Sequence, residues 1–372
     1  MKKHIRYILL SLLFCLSIFY VDAQKNNYEI KVTVANAPTD KFYLVGYNGV
    51  EEIVADSAMV SKKGVAVFKS ASELPAGFYR LTDTAQRQYL EMLVDQNRFF
   101  SIQTSMKELA VKRKIKNSPE NETYFEFQKA LLATILVPEQ KEVIMANFRD
   151  MAPKSLLSTF LRAVSGNPHL KADEKDTAYW AQHALDDVDL NDVRLLHAPF
   201  VAKKTLDYFK NIVPQEADSL NKYVDVFFSK IENETVREYY LSQLLELFDD
   251  HYQPEYEAVL VHVYDEYYVK GDHSFLESNR ARILKNRVKL LRKLLPGTEL
   301  PYLESYDKDG KIVSTKDIHA QYTLLWFWDP DCDDCVLLTP KLHEIYKQHH
   351  DEYNFEVFAM ALVDNYQQWQ DF

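Results

Sequence analysis

The chain has 372 residues, more than one ordinary core accommodates, and its length predicts two to three domains. Its 44 basic and 55 acidic residues give a formal charge of −11, alternating in sign along the chain. This excludes the clustered positive surface that nucleic acid or an anionic membrane requires of a partner. Three cysteines are too few for a scaffold held by disulfide staples.

The first residues read as an export signal. Lys2, Lys3 and Arg6 form a basic start, and Ile8 to Tyr20 is apolar except for Ser11 and Ser17. Val21-Asp22-Ala23 then offers small or apolar residues at −3 and −1 of a cut before Gln24. The apolar run is about thirteen residues, short of the roughly 20 that a spanning helix needs. Cys15 follows Phe14, where a lipid-attachment site would need a small residue. Residues 1–23 are therefore expected to be a cleaved signal peptide, with the mature protein in the periplasm or cell envelope. No later stretch is long and apolar enough to span a membrane. Removal of Cys15 leaves Cys332 and Cys335, three positions apart, in a compartment where disulfides form.

Residues 24–106 predict a small antiparallel β sandwich or barrel. Tyr28 to Val34 alternates with period two, and Lys41 to Tyr47, Ala58 to Val60, Val65 to Phe68, Phe78 to Leu81, Tyr89 to Val94 and Phe99 to Gln103 follow with turns between them. Asp56-Ser57-Ala58 reads as a turn. The region has no His, no Cys and no convergent acid cluster.

Residues 117–295 predict an all-α domain of seven to nine helices. Val236, Tyr240, Leu244, Leu247 and Phe248 fall on one helical face, and Pro153, Pro214 and Pro254 sit where first turns would begin. The aromatics here stand mostly at core spacing, with tyrosine hydroxyls at the rim. Two groups invite a metal reading, His262 with Glu266 and Asp249-Asp250-His251, but neither brings four ligands at a recognised spacing.

Residues 296–372 open on Pro296-Gly297. Leu300 to Leu303 reads as extended, Asp307 to Gly310 as a turn and Lys311 to Ser314 as the returning strand. Tyr322 to Trp328 is apolar without alternation, as in a strand buried on both faces. A helical run from Val336 to His349 and a second apolar strand, Phe355 to Leu362, complete a parallel βαβ unit. Cys332 and Cys335 lie between the first strand and the helix. Unpaired backbone N–H groups at a helix N-terminus stabilise a thiolate. Cys335 lies one turn on and can attack a mixed disulfide formed at Cys332, which makes Cys332 the expected nucleophile and Cys335 the resolving thiol. As a structural staple the pair would close a four-residue ring, which constrains the unfolded chain by only about 2 kcal/mol. Zinc is excluded by distance, because His343 lies about 12 Å along the helix axis from Cys335. Asp331, Asp333 and Asp334 flank the first thiol and oppose a thiolate there, which favours a reductant or slow exchanger over a strong oxidant.

Gly297-Thr298-Glu299-Leu300-Pro301, Asp309-Gly310-Lys311, the run Trp326 to Cys335 and Pro340 together resemble the TlpA-like group of thioredoxin-like envelope thiol–disulfide oxidoreductases. Asp56-Ser57-Ala58, Asn117-Ser118-Pro119-Glu120-Asn121 and Asp192-Val193-Arg194-Leu195 extend the resemblance to members with an uncharacterised N-terminal β domain and a helical domain. The resemblance implies reductase-type exchange on disulfide-containing envelope proteins, electrons from a membrane dithiol donor and no bound cofactor. Two departures stand out. Asp331 replaces the tryptophan common before the first Cys, and the chain stops at Phe372, before the family's cis-proline segment, so only the N-terminal half of the thioredoxin-like domain is expected. The alternative function is a non-catalytic envelope interaction or scaffold protein carrying a vestigial unit.

Overall fold

The computed structural model describes residues 26–134, 140–165, 177–249, 254–271 and 274–363 together with Gln367. The expected signal peptide lies outside the described residues. The protein is multidomain, with an N-terminal β region, many helices and a later α/β region. It divides after Val288 into two units, the first holding both the β region and nearly all of the helices.

In the first unit, β1 (Tyr28–Ala35), β4 (Val65–Ser70), β7 (Phe99–Ser105) and β8 (Lys114–Lys116) form one sheet in the order β4-β1-β7-β8. The second sheet is β3-β2-β5-β6, from β2 (Lys41–Asn48), β3 (Glu51–Met59), β5 (Gly77–Asp83) and β6 (Gln88–Val94). Alternation in β1 buries Ile30, Val32 and Val34, while Glu29 and Lys31 face outward. These residues share one apolar core with Phe42, Leu44, Leu81, Met92 and Ile102, so the two sheets face each other across it.

Two expectations about this region need correction. The sandwich is not wholly antiparallel, because β1 and β7 pair in parallel from Glu29↔Phe99 to Ala35↔Ser105. The chain between them is long enough for the crossover that parallel pairing requires. Asp56-Ser57-Ala58 lies within β3 rather than in a turn, paired with Leu44, Tyr43 and Phe42. The Asp56 carboxylate accepts the Tyr28 hydroxyl at 2.7 Å, a tertiary contact that outweighs the local turn preference.

The helices of this unit are α1 (Pro119–Ala133), α2 (Gln140–Met151), α3 (Leu156–Val164), α4 (Thr177–His183), α5 (Val201–Asn211), α6 (Ala217–Ser229), α7 (Glu234–Phe248), α8 (Pro254–Val263) and α9 (Ser278–Leu291). A 3-10 turn spans Val193–His197, and a π-helical turn, Tyr264–Val269, continues α8. Pro254 does begin its helix, whereas α3 starts after the N-cap Ser155 and α6 after Glu216, so Pro153 and Pro214 precede the first turn. Phe209, Phe227 and Phe248 pack edge to face at the centre.

A dense joint binds the β strands to these helices. Phe78 of β5 meets the rings of Tyr124 and Phe160 at 5.7 and 4.4 Å. Asn121 of α1 accepts the Leu93 N–H and donates to the Leu93 carbonyl, both at 2.8 Å, and Ser118 caps the helix that carries it. Arg194 of the 3-10 turn bonds Asp192 at 2.6 Å and reaches Asp95 beside β6 at 2.7 Å. Gly49 donates to the Leu196 carbonyl at 2.6 Å, and His197 Nδ1 donates to the Tyr47 carbonyl at 2.8 Å. A Cβ at Gly77 would collide with His197, and one at Gly49 with Tyr239, so both positions need glycine for close approach. The segments Asn117 to Asn121 and Asp192 to Leu195 thus build a structural joint.

The second unit holds an antiparallel hairpin, β9 (Glu304–Tyr306) with β10 (Ile312–Ser314), and a parallel pair, β11 (Tyr322–Trp328) with β12 (Phe355–Ala361), connected by α10 (Asp333–Tyr353). Leu300 to Leu303 lies before β9 and has no regular structure; Pro301 lacks the N–H that a ladder needs. β11 and β12 run in register from Tyr322↔Phe355 to Trp328↔Ala361. The expectation that β11 is buried on both faces is not met. Trp328 is 7% exposed, but Leu324 is 42% and Phe327 48% exposed, because β12 is the single strand paired with β11 among the described residues.

Candidate functional site

The strand β11 delivers the chain to its C-terminal end at Trp328, and Asp329-Pro330-Asp331 turns it into α10. Pro330 disfavours a helical Asp329, and the helix begins three residues on, at Asp333. Cys332 is the N-cap residue, in extended conformation, and its carbonyl accepts the Val336 N–H at 3.0 Å. Its thiol therefore sits at the helix N-terminus, where unpaired N–H groups and the dipole gather. Asp333 and Asp334 occupy the first turn, where negative charge suits the dipole.

The structure brings Cys332 and Cys335 together as free, half-buried thiols. The neighbouring Cys332 side chain is the largest influence raising the Cys335 thiol above its ordinary range; burial and the Asp329 charge add to it, and the Asp329 backbone works against it. Asp329 also accepts the Asp331 N–H on its Oδ1 at 2.9 Å and the Cys332 N–H on its carbonyl at 3.1 Å. Sequence reasoning weighed Asp331, Asp333 and Asp334 and passed over Asp329. Its part is played largely by the backbone, which residue type does not reveal.

Two hydrogen bonds hold α10 on the strands. The Trp326 indole donates to Thr339 Oγ1 at 3.1 Å, and the Tyr346 hydroxyl donates to Glu356 at 2.8 Å. A groove of about 1070 Å³ between the hairpin and β12 is lined in part by Tyr306, Lys311, Asp317, His319 and Met360, and neither cysteine lines it.

The residues weighed as metal ligands go elsewhere. His262 meets Asp225 at 2.7 Å while Glu266 pairs with Lys270, so they do not converge. Asp249 pairs with Arg287, and Asp250 and His251 lie outside the described residues. His349 pairs with Glu352, and His350 stacks on Tyr346. Among the described residues no three His, Cys, Asp or Glu side chains gather as a metal would require. No described helix is long and apolar enough to cross a membrane.

The fold and site define a two-unit chain with a Cys-X-X-Cys helix start in its α/β part. Residues 28–124 match the family model of a domain of unknown function, DUF4369. That match covers all eight strands of the sandwich and reaches into α1 past Asn121. A solved thioredoxin-like protein from Bacteroides caccae is similar at 20% identity and a TM-score of 0.42, over 56% of this chain and 76% of that one. No curated protein matches.

Proposed function

We propose that this chain carries out thiol–disulfide exchange of the reductase type through Cys332 and Cys335, on disulfides of proteins in the bacterial envelope. The observation that carries this reading is the placement of two free thiols, one at the N-cap of α10 and the other in its first turn, directly after a parallel strand. The Cys332 thiolate attacks one sulfur of a partner disulfide and expels the other as a thiolate, which takes a proton from water. Cys335, having lost its proton to solvent, attacks Cys332 in the mixed disulfide. The intramolecular disulfide forms, the second partner thiol leaves, and two electrons have passed to the partner.

The Asp329 charge disfavours a thiolate at Cys335 and so favours giving electrons up. A membrane dithiol donor would restore the reduced pair, and the basic and apolar start of the chain supports export to that compartment. Reduction of a glutathionylated peptide by the dithiol-loaded protein tests the reading. Cys332→Ser should abolish turnover, and Cys335→Ser should accumulate a mixed disulfide visible as a glutathione adduct in intact mass. Unchanged turnover in Cys332→Ser would overturn the reading.

A further inference from the structure

The expectation that charge alternates in sign along the whole chain fails at α9. From Ser278 to Leu295 the sequence holds seven basic residues and no acidic one, which sets this stretch apart in a chain of net charge −11. One side of the helix is held by the protein. Leu284, Val288 and Leu291, spaced i, i+4 and i+7, are buried. Beside them Arg280 pairs with Glu246 of α7 at 3.1 Å, and Arg287 pairs with Asp249 and with Glu257 of α8 at 3.5 and 3.3 Å. The other side faces solvent. Arg282, Lys285 and Lys289, spaced i, i+3 and i+7, are exposed there. Arg282 donates to Asn279 at 2.9 Å, and neither lysine has an ion pair among the described residues. Ile283 and Leu290, 54% and 59% exposed, stand two turns apart along the flank of the same side.

From this face we propose that α9 is a docking surface for a lipid bilayer with anionic headgroups. Charge complementarity selects the partner. Three cations in a row along about two turns match a flat layer of phosphate groups, and their long stems let the charged ends stay at that level. Ile283 and Leu290 beside them then reach the boundary of the acyl chains. The combination is what points to lipid. Cations alone would suit any acidic surface, whereas exposed isoleucine and leucine next to them suit a medium that is apolar just beneath its charged layer. The net negative charge of the rest of the chain repels the same bilayer and so fixes which side of the protein meets it. Docking of this kind needs neither cysteine and stands apart from the exchange chemistry.

Flotation of the full-length mature protein with vesicles tests this. At about 50 mM salt, vesicles of phosphatidylethanolamine and phosphatidylglycerol should take up the protein at least about tenfold more strongly than vesicles of phosphatidylcholine, and about 500 mM salt should erase the preference. Replacing the three cations together, as Arg282→Gln, Lys285→Gln and Lys289→Gln, should lower partition about a hundredfold, at about fivefold per charge. Ile283→Ser with Leu290→Ser should lower it about tenfold and leave the salt dependence as it was. Every replaced side chain is exposed, so circular dichroism should match the wild type. If the serine pair disturbs the helix, the glutamine triple carries the test. Equal partition onto both kinds of vesicle, or a triple that partitions like the wild type, would overturn the inference. A folded serine pair that partitions like the wild type, with capture on poly-glutamate beads through the same three cations, would overturn it too and assign the face to an acidic protein.

Discussion

β5 holds three apolar side chains, Phe78, Tyr79 and Leu81, and β11 holds six, yet their surroundings reverse the order of burial. In β5, Gly77–Asp83, six of seven residues are buried, because β2 and β6 flank it, the sandwich core lies beneath it, and Tyr124 and Phe160 cover Phe78 from the helical side. In β11, Tyr322–Trp328, one of seven is buried, and the strand pairs with β12 alone among the described residues. The apolar run states what a strand requires in order to be stable. Whether neighbours supply it is a property of the tertiary structure.

The sharpest way to break this comparison is Phe78→Ala. Phe78 is 3% exposed, and truncating its ring should destabilise the first unit by about 3–5 kcal/mol through lost burial and a cavity. Urea unfolding followed by far-ultraviolet circular dichroism would show it. A loss below about 1 kcal/mol would mean that the joint can collapse around the gap. Asn121→Ala comes next. It strips the Leu93 N–H and carbonyl of their partners and should cost about 2 kcal/mol in the same measurement. The smallest effect belongs to Phe327→Ala on β11. With its ring 48% exposed, the substitution should change stability by less than about 1 kcal/mol and leave amide exchange across 322–328 nearly unaltered. A cost matching that of Phe78→Ala would show that β11 is covered in solution.

Much of the sandwich was legible because alternation is a local signal. β1, β2 and β7 were readable from Ile30, Val32, Phe42, Leu44, Phe100 and Ile102, whose spacing matches the pleat. The first half of β3 was not, since Glu51-Glu52-Ile53-Val54-Ala55 has no clean period and gains its strand character from pairing with β2. β8 is three residues long, too short for a pattern. The parallel pairing of β1 with β7 depends on residues about seventy positions apart, which no local window contains. At the site, Cys332 and Cys335 were legible from spacing and from the strand and helix around them. Asp329 was not, because its bond to the Cys332 N–H uses a backbone carbonyl that every residue type shares.

The Asn121 clasp on Leu93 has a consequence beyond holding α1 in place. β6 is the last strand of its sheet, and the Leu93 N–H and carbonyl that Asn121 occupies are on the side away from β5. A side-chain amide offers one acceptor and one donor, the same complement that a peptide group in an adjoining strand would present. The sheet is thereby ended at this position by a helix residue imitating one link of a further strand, and an incoming chain finds that stretch of its margin already taken.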